Sequence, residues 1–206
     1  MAKVLNVGVI LFENFELLDV FGPLEMLGMY PETFSLHMLG QHAGAVRSAQ
    51  GPRVALDSTF DQVGQYQILL VPGGAGTRIE VSNQALLNWL SNQAENAQYV
   101  MSVCTGSALL AASGLLEGRR ATTNKNAFQW VTGFGHRVTW IKQARWVVDG
   151  NYFTSSGVSA GIDMSLGLIE EIMDRSSAEQ AAIWAEYQWN RDPSNDPFAS
   201  IAGLVE

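Results

Sequence analysis

The chain has 206 residues, of which 47% are hydrophobic and 16% charged, a globular balance that excludes a disordered chain. Acidic residues number 20 against 12 basic ones, for a net charge of −8 with no basic run, so binding to nucleic acid or to an anionic membrane is not expected. The single cysteine excludes an internal disulfide and a thiolate metal cluster, and no pattern for a metal or a cofactor is found.

Lys3 to Phe12 is an apolar run rich in Val, Leu and Ile. Glu13 and Asn14 follow it at once without a small-residue cleavage site, so it is predicted to be a buried first strand and not a signal peptide. No segment is long enough to span a bilayer, and a cytoplasmic protein is expected. Leu17, Leu18, Phe21, Leu24 and Leu27 recur at helical spacing and predict a helix ending near Met29. Phe34, Leu36 and Met38 alternate in a strand over Thr33 to Leu39, and Gly51-Pro52 centres a hairpin between Gly44 and Leu56.

Gln67 to Val71 is a short apolar strand that runs into Pro72-Gly73-Gly74. Ser82 is the expected cap of a helix through about Ala94. A strand over Tyr99 to Val103 precedes a helix from Thr105 to Ser113, stopped by Gly114. A short helix over Asn126 to Thr132 follows, then strands near Val138 to Ile141, Ala144 to Val148 and Asn151 to Thr154. Long helices are predicted from Ser159 to Met173 and from Ser177 to Tyr187. Strands alternating with helices predict a three-layer α/β sandwich, a mostly parallel sheet with helices on both faces. Residues 1–190 are expected to form one domain and 191–206 an irregular tail, since Asp-Pro occurs there twice.

Ligands in such sheets bind at the carboxyl ends of the strands. One of those ends is Ser102-Val103-Cys104-Thr105-Gly106-Ser107, where strand becomes helix. A nucleophile elbow needs small residues two positions to either side of the nucleophile, and Ser102 and Gly106 meet that need. A thiol there faces the start of the next helix, whose dipole and N–H groups favour thiolate. The Thr105 N–H is a candidate donor to a developing negative charge. A lone cysteine is as readily a buried structural residue, and the local pattern leaves both readings open.

A second strand end supplies Pro72-Gly73-Gly74-Ala75-Gly76, whose N–H groups could complete an oxyanion hole; it matches neither a dinucleotide fingerprint nor a phosphate loop. The third carries Glu16 and Asp19, three residues apart and thus on one helix face. Acids also suit a first helical turn without any further role.

Phe12 to Glu25 (FENFELLDVFGPLE), Pro72-Gly73-Gly74, Ser102 to Ser107 (SVCTGS) and Gly157 to Asp163 (GVSAGID) occur in the order of the ThiJ/PfpI superfamily. The resemblance covers nearly the whole chain, including Gly118 to Thr123, and is greatest to the isonitrile hydratase branch. It implies the flavodoxin-like, class I glutamine-amidotransferase-like fold and a homodimer. It also implies Cys104 as nucleophile, Asp19 as its acid partner with Glu16 as second choice, and Gly74 or Ala75 as second oxyanion donor beside Thr105. Gly161 and Ile162 begin the helix that the resemblance places beside the nucleophile, for substrate binding or for plain packing.

Some relatives carry a histidine after the strand that follows the nucleophile helix, whereas this chain has Thr122-Thr123-Asn124-Lys125. His37, His42 and His136 lie in no motif, so a Cys-His-acid triad for amide hydrolysis is disfavoured. Related regulators add a carboxyl-terminal DNA-binding domain, for which 206 residues leave no room, and a DNA-binding regulator is not expected. The implied reaction is hydration of an isonitrile to an N-substituted formamide through a thioimidate on Cys104. The alternatives are a glyoxalase-like enzyme on small carbonyl compounds and a non-enzymatic cysteine redox or ligand sensor.

Overall fold

The computed structural model describes residues 4–62 and 64–206; Lys3, the expected first residue of the opening strand, lies outside them. The chain runs from β1 (Leu5–Ile10) through α1 (Leu17–Gly28) to β2 (Phe34–Gly40). A hairpin of β3 (Ala45–Arg47) and β4 (Arg53–Ala55) follows, then β5 (Ser58–Thr59) and β6 (Ile68–Val71). Next come α2 (Thr77–Glu80), α3 (Gln84–Ala94), β7 (Tyr99–Ser102), α4 (Gly106–Ala112), β8 (Arg120–Ala121), α5 (Phe128–Val131) and β9 (Thr139–Trp140). The last elements are β10 (Trp146–Asp149), β11 (Tyr152–Ser155), α6 (Ala160–Ile172), α7 (Arg175–Trp184) and α8 (Phe198–Ile201).

Seven strands form one sheet in the order β10-β11-β7-β6-β1-β2-β5, parallel except where β10 meets β11. β1 and β6 are near-continuous apolar runs because both of their faces are covered by helices. α1 packs on α6 and α6 on α7, while α3 and α4 pack together over the other face. The strand order reverses at β1, which has β2 on one side and β6 on the other. Val71 at the end of β6 pairs with Ser102 at the end of β7, and Ser102 pairs in turn with Thr154 of β11. The chain therefore leaves these strands at one edge of the sheet, beside the switch point where such folds bind ligands.

Several details differ from the sequence expectation, the short strands β5 and β8 among them. Asn83, not Ser82, caps α3, its side chain accepting from the Leu86 N–H at 3.3 Å. Ser82 closes the preceding helical turn instead, donating its N–H to Ile79 O at 3.1 Å. α2 was hidden by the glycines before it. Beyond residue 191 the chain is irregular as far as Pro197 and then forms the single turn of α8. Among the described residues no helix is long and apolar enough to cross a membrane.

Candidate active site

Cys104 sits in the turn between β7 and α4 with φ +57°, a left-handed conformation that a non-glycine residue adopts only when its surroundings enforce it. Here they do. The Cys104 N–H donates to Ser156 O at 3.1 Å, and its carbonyl accepts from Ser107 Oγ at 3.1 Å and Thr123 Oγ1 at 2.9 Å. Glycine is required two residues on, because a Cβ at Gly106 would run into the carbonyl oxygens of Val71 and Pro72. The turn is thus an elbow of the kind the spacing of Ser102 and Gly106 predicted.

Asp19 reaches the same place from the first turn of α1. It is fully buried, and its Oδ2 accepts from the Gly73 N–H at 2.8 Å. Oδ1 has no hydrogen-bond partner among the described residues. Burial pushes its pKa up to about 8; the Gly73 N–H opposes the rise, the Glu16 charge adds to it, and a hydrogen bond from the Cys104 thiol opposes it. Cys104 is itself only 5% exposed. Burial raises its pKa most, followed by the charge of Asp19, while the Thr105 N–H and the Asn124 amide hold it down and Glu16 adds a small further rise. The N–H groups at the α4 terminus favour thiolate as the sequence suggests, but desolvation outweighs them and pushes both the thiol and the carboxyl toward their neutral forms.

Glu16 occupies a different environment. It is half-buried at the rim of the cleft, and its Oε1 accepts from Gln50 Nε2 at 2.7 Å. Of the two acids on this face, Asp19 is the one brought against the thiol.

Asn124 was read from the sequence only as the place where a histidine was missing. Its Nδ2 stands 3.2 Å from Cys104 Sγ, and its Oδ1 accepts from the Ala127 N–H at 3.0 Å, which fixes the amide orientation. Gly157 backs this contact, since a Cβ there would collide with the Asn124 amide and lie 3.3 Å from Sγ. The signal available for Asn124 was its position, directly after a short strand that returns to the elbow.

The glycine turn after β6 packs against Thr105. The Gly74 N–H donates to Thr105 Oγ1 at 3.1 Å, so it is already committed. Thr77, at the start of α2, lies 3.1 Å from the same hydroxyl and donates to Gly74 O at 2.7 Å. The Ala75 N–H makes no hydrogen bond among the described residues, and Ala75 lines the cleft. The Ala75 N–H is therefore the open donor of this turn, while the Thr105 N–H faces the Cys104 sulfur. Gly161 and Ile162, which sequence reasoning placed near the substrate, line no part of this cleft. A Cβ on Gly161 would meet the Val103 side chain at 2.8 Å, and Ile162 packs against Gly22 of α1. The loop from Ser156 to Ser159 runs beside Cys104, with Ser156 O accepting from the Cys104 N–H and Val158 lining the cleft.

The cleft above Cys104 holds about 440 Å³ and is lined by Glu16, Ala75, Arg78, Thr105, Asn124 and Val158 among others. None of the histidines lines it: His37 lies on β2 with Nε2 3.0 Å from Ser35 Oγ, and His42 and His136 are exposed. The arrangement can present a soft nucleophile, a buried proton donor and two backbone N–H groups to a small polar head.

The sequence pattern of the DJ-1/PfpI family matches residues 5–171. The chain is 35% identical to the isonitrile hydratase of Pseudomonas putida over 183 residues, 89% of this chain and 78% of that enzyme. It is 29% identical to the HTH-type transcriptional regulator GbdR of Pseudomonas aeruginosa over 80% of this chain and 46% of the regulator. The crystal structure of a ThiJ/PfpI family protein from Pseudomonas syringae superposes with a TM-score of 0.83 at 28% identity, covering 98% of this chain and 86% of that one. The relatives thus include an enzyme and regulators. The matched stretch spans every element from β1 to the last turn of α6, and the chain belongs to the DJ-1/PfpI family.

Proposed function

We propose that this protein hydrates isonitriles to N-substituted formamides, with Cys104 as nucleophile and Asp19 as proton carrier. The observation that carries the reading is an elbow thiol with a fully buried carboxyl beside it, both pushed toward their neutral forms by burial. An isonitrile is itself neutral, and its terminal carbon must gain both a nucleophile and a proton. A neutral pair delivers both without leaving separated charge in a buried site.

In the first step the Cys104 sulfur bonds to the isonitrile carbon. Asp19 gives its proton to that carbon and takes the thiol proton in exchange, leaving a thioimidate, S–CH=N–R. Water then adds to the same carbon while Asp19 protonates the nitrogen and recovers a proton from the water. The carbon–sulfur bond breaks, the thiol regains its proton, and the formamide leaves. The sum is one isonitrile and one water giving one formamide, with no amine released. The N–H groups of Thr105 and Ala75 would orient the attacking water and hold the oxygen as it forms. Asn124 would steady negative charge on sulfur during each passage. Its presence where a histidine general base would stand weighs against amide hydrolysis and against carbonyl rearrangement. The 35% identity to an isonitrile hydratase supports the substrate class. A homodimer acting in the cytoplasm completes the reading, and size-exclusion chromatography with light scattering tests its first half.

The test is formamide production from alkyl and aryl isonitriles, with methylglyoxal alongside as the carbonyl alternative. Turnover that falls to background in both Cys104→Ala and Asp19→Asn supports the mechanism. Untouched isonitriles would sink the assignment. Conversion of methylglyoxal would then favour the carbonyl enzyme, and inactivity on both would favour a sensor.

A further inference from the structure

Beside the Cys104 cleft lies a second cavity of about 340 Å³. Asn124, Asn126 and Val158 line both, so the two adjoin at these residues. The outer walls are apolar: Leu18 comes from α1, and Phe198 and Ile201 come from α8. These three side chains are 42%, 52% and 77% exposed, although each is a large hydrophobe. Apolar groups left open around a concavity that adjoins the thiol's cleft are what a ligand's apolar part needs.

The segment that carries α8 is keyed to the site. Pro193 O accepts from the Arg145 N–H at 2.8 Å, and the Asp196 N–H donates to Gln143 O at 2.7 Å. The Asp196 carboxylate is buried 3.9 Å from Arg145 Nη1 and 4.0 Å from Lys125 Nζ. Lys125 directly follows Asn124, whose amide touches Cys104 Sγ. Its ammonium also donates to Thr122 Oγ1 and Ala144 O, so it is committed inward and does not favour an anionic ligand.

Resting on the isonitrile reading above, we infer that this second cavity holds the N-substituent of the substrate and that α8 is its specificity wall. The substrate class is isonitriles bearing a medium-sized alkyl or aryl group, in preference to methyl or charged ones. The isonitrile carbon sits at Cys104, the C–N axis passes Asn124 and Val158, and the apolar group rests against Leu18, Phe198 and Ile201.

The test compares kcat/KM along a series of n-alkyl isonitriles from methyl to hexyl. In the wild type, each methylene that leaves water should raise it roughly three- to fourfold. Phe198→Ser and Ile201→Ser should flatten that rise, whereas Ile183→Ser, 66% exposed but on α7, should keep it. A second series makes the result independent of hydration. N-alkyl iodoacetamides of the same chain lengths alkylate Cys104, the sulfur–carbon bond forming as the carbon–iodine bond breaks and iodide leaves. A chain-length dependence in alkylation without isonitrile turnover would refute the hydratase reading and retain the subsite. A flat alkylation series in the wild type, or a rise that survives both α8 substitutions, overturns the subsite.

Discussion

Two fully buried aspartates show how differently one fold treats the same group. Asp163, at the start of α6, has its pKa raised by burial, but the Arg145 guanidinium opposes the rise at 2.6 and 2.7 Å. It also accepts from the Asn190 N–H at 2.9 Å and from the Tyr187 hydroxyl at 3.1 Å. Asp19 has one N–H on Oδ2, nothing on Oδ1, and a like charge nearby in Glu16. A buried acid with a structural task is supplied with donors and a counter-charge. The one beside Cys104 is left short of both, which is how a carboxyl stays protonated at neutral pH.

The largest expected effect tests the well-supplied acid. Asp163→Ala leaves the buried Arg145 guanidinium without its closest partner, with only Asp196 at 3.9 Å, and should lower stability by about 3 kcal/mol, read from the urea midpoint. A loss below about 1 kcal/mol would erase the contrast.

Asp19→Asn should move stability the other way. In the unfolded chain Asp19 ionises near its ordinary 3.8, whereas in the folded chain it stays neutral up to about 8. Stability therefore falls as pH rises between those two values and levels off above them. Asparagine does not ionise and keeps an oxygen for the Gly73 N–H. The variant should be more stable than the wild type by on the order of a few kcal/mol near pH 9, a gain that vanishes near pH 4. Denaturation curves at the two pH values check it, and a variant that is weaker at both would break the comparison. The same titration should cost activity: hydration that uses a protonated Asp19 should decline as pH rises through about 8.

Asn124→Leu sharpens the view of the thiol itself. Removing the amide 3.2 Å from Sγ takes away a donor to the thiolate, and iodoacetamide should alkylate Cys104 roughly tenfold more slowly at fixed pH. An unchanged rate would assign the contact to packing. The smallest effect on stability is expected from Gly157→Ala, whose Cβ displaces the Asn124 amide; about 1–2 kcal/mol should be lost, with alkylation slowed as in Asn124→Leu. Normal alkylation in Gly157→Ala would show that the amide can move aside without consequence.

The elbow was legible because its requirements lie within a few residues. Ser102 and Gly106 flank Cys104 at the spacing the turn needs, and nothing distant has to be known. The glycine turn was legible as a turn, but its donors were not sorted: Gly74 was a candidate until Thr105 Oγ1 was seen to occupy its N–H. Asn124 and Gly157 escaped because their contacts with Sγ join segments after β8 and β11 to the loop after β7. For Gly161 and Ile162 the sequence leaves substrate binding and packing open, and their contacts with Val103 and Gly22 are packing contacts between distant segments. The tail was read from its Asp-Pro pairs as irregular, while its buried Asp196 meets Arg145 and Lys125, partners that no local pattern reveals.

By itself the sequence determined the alternation of strands and helices, the elbow at Cys104 and the acidic face holding Glu16 and Asp19. These follow from periodicity and from backbone geometry, which neighbouring residues control. The tertiary structure alone decided which acid is buried beside the thiol, that both groups are pushed toward their neutral forms, and which N–H groups are already engaged. Desolvation depends on everything packed around a group, and the donor that holds Asp19 lies 54 residues further along the chain.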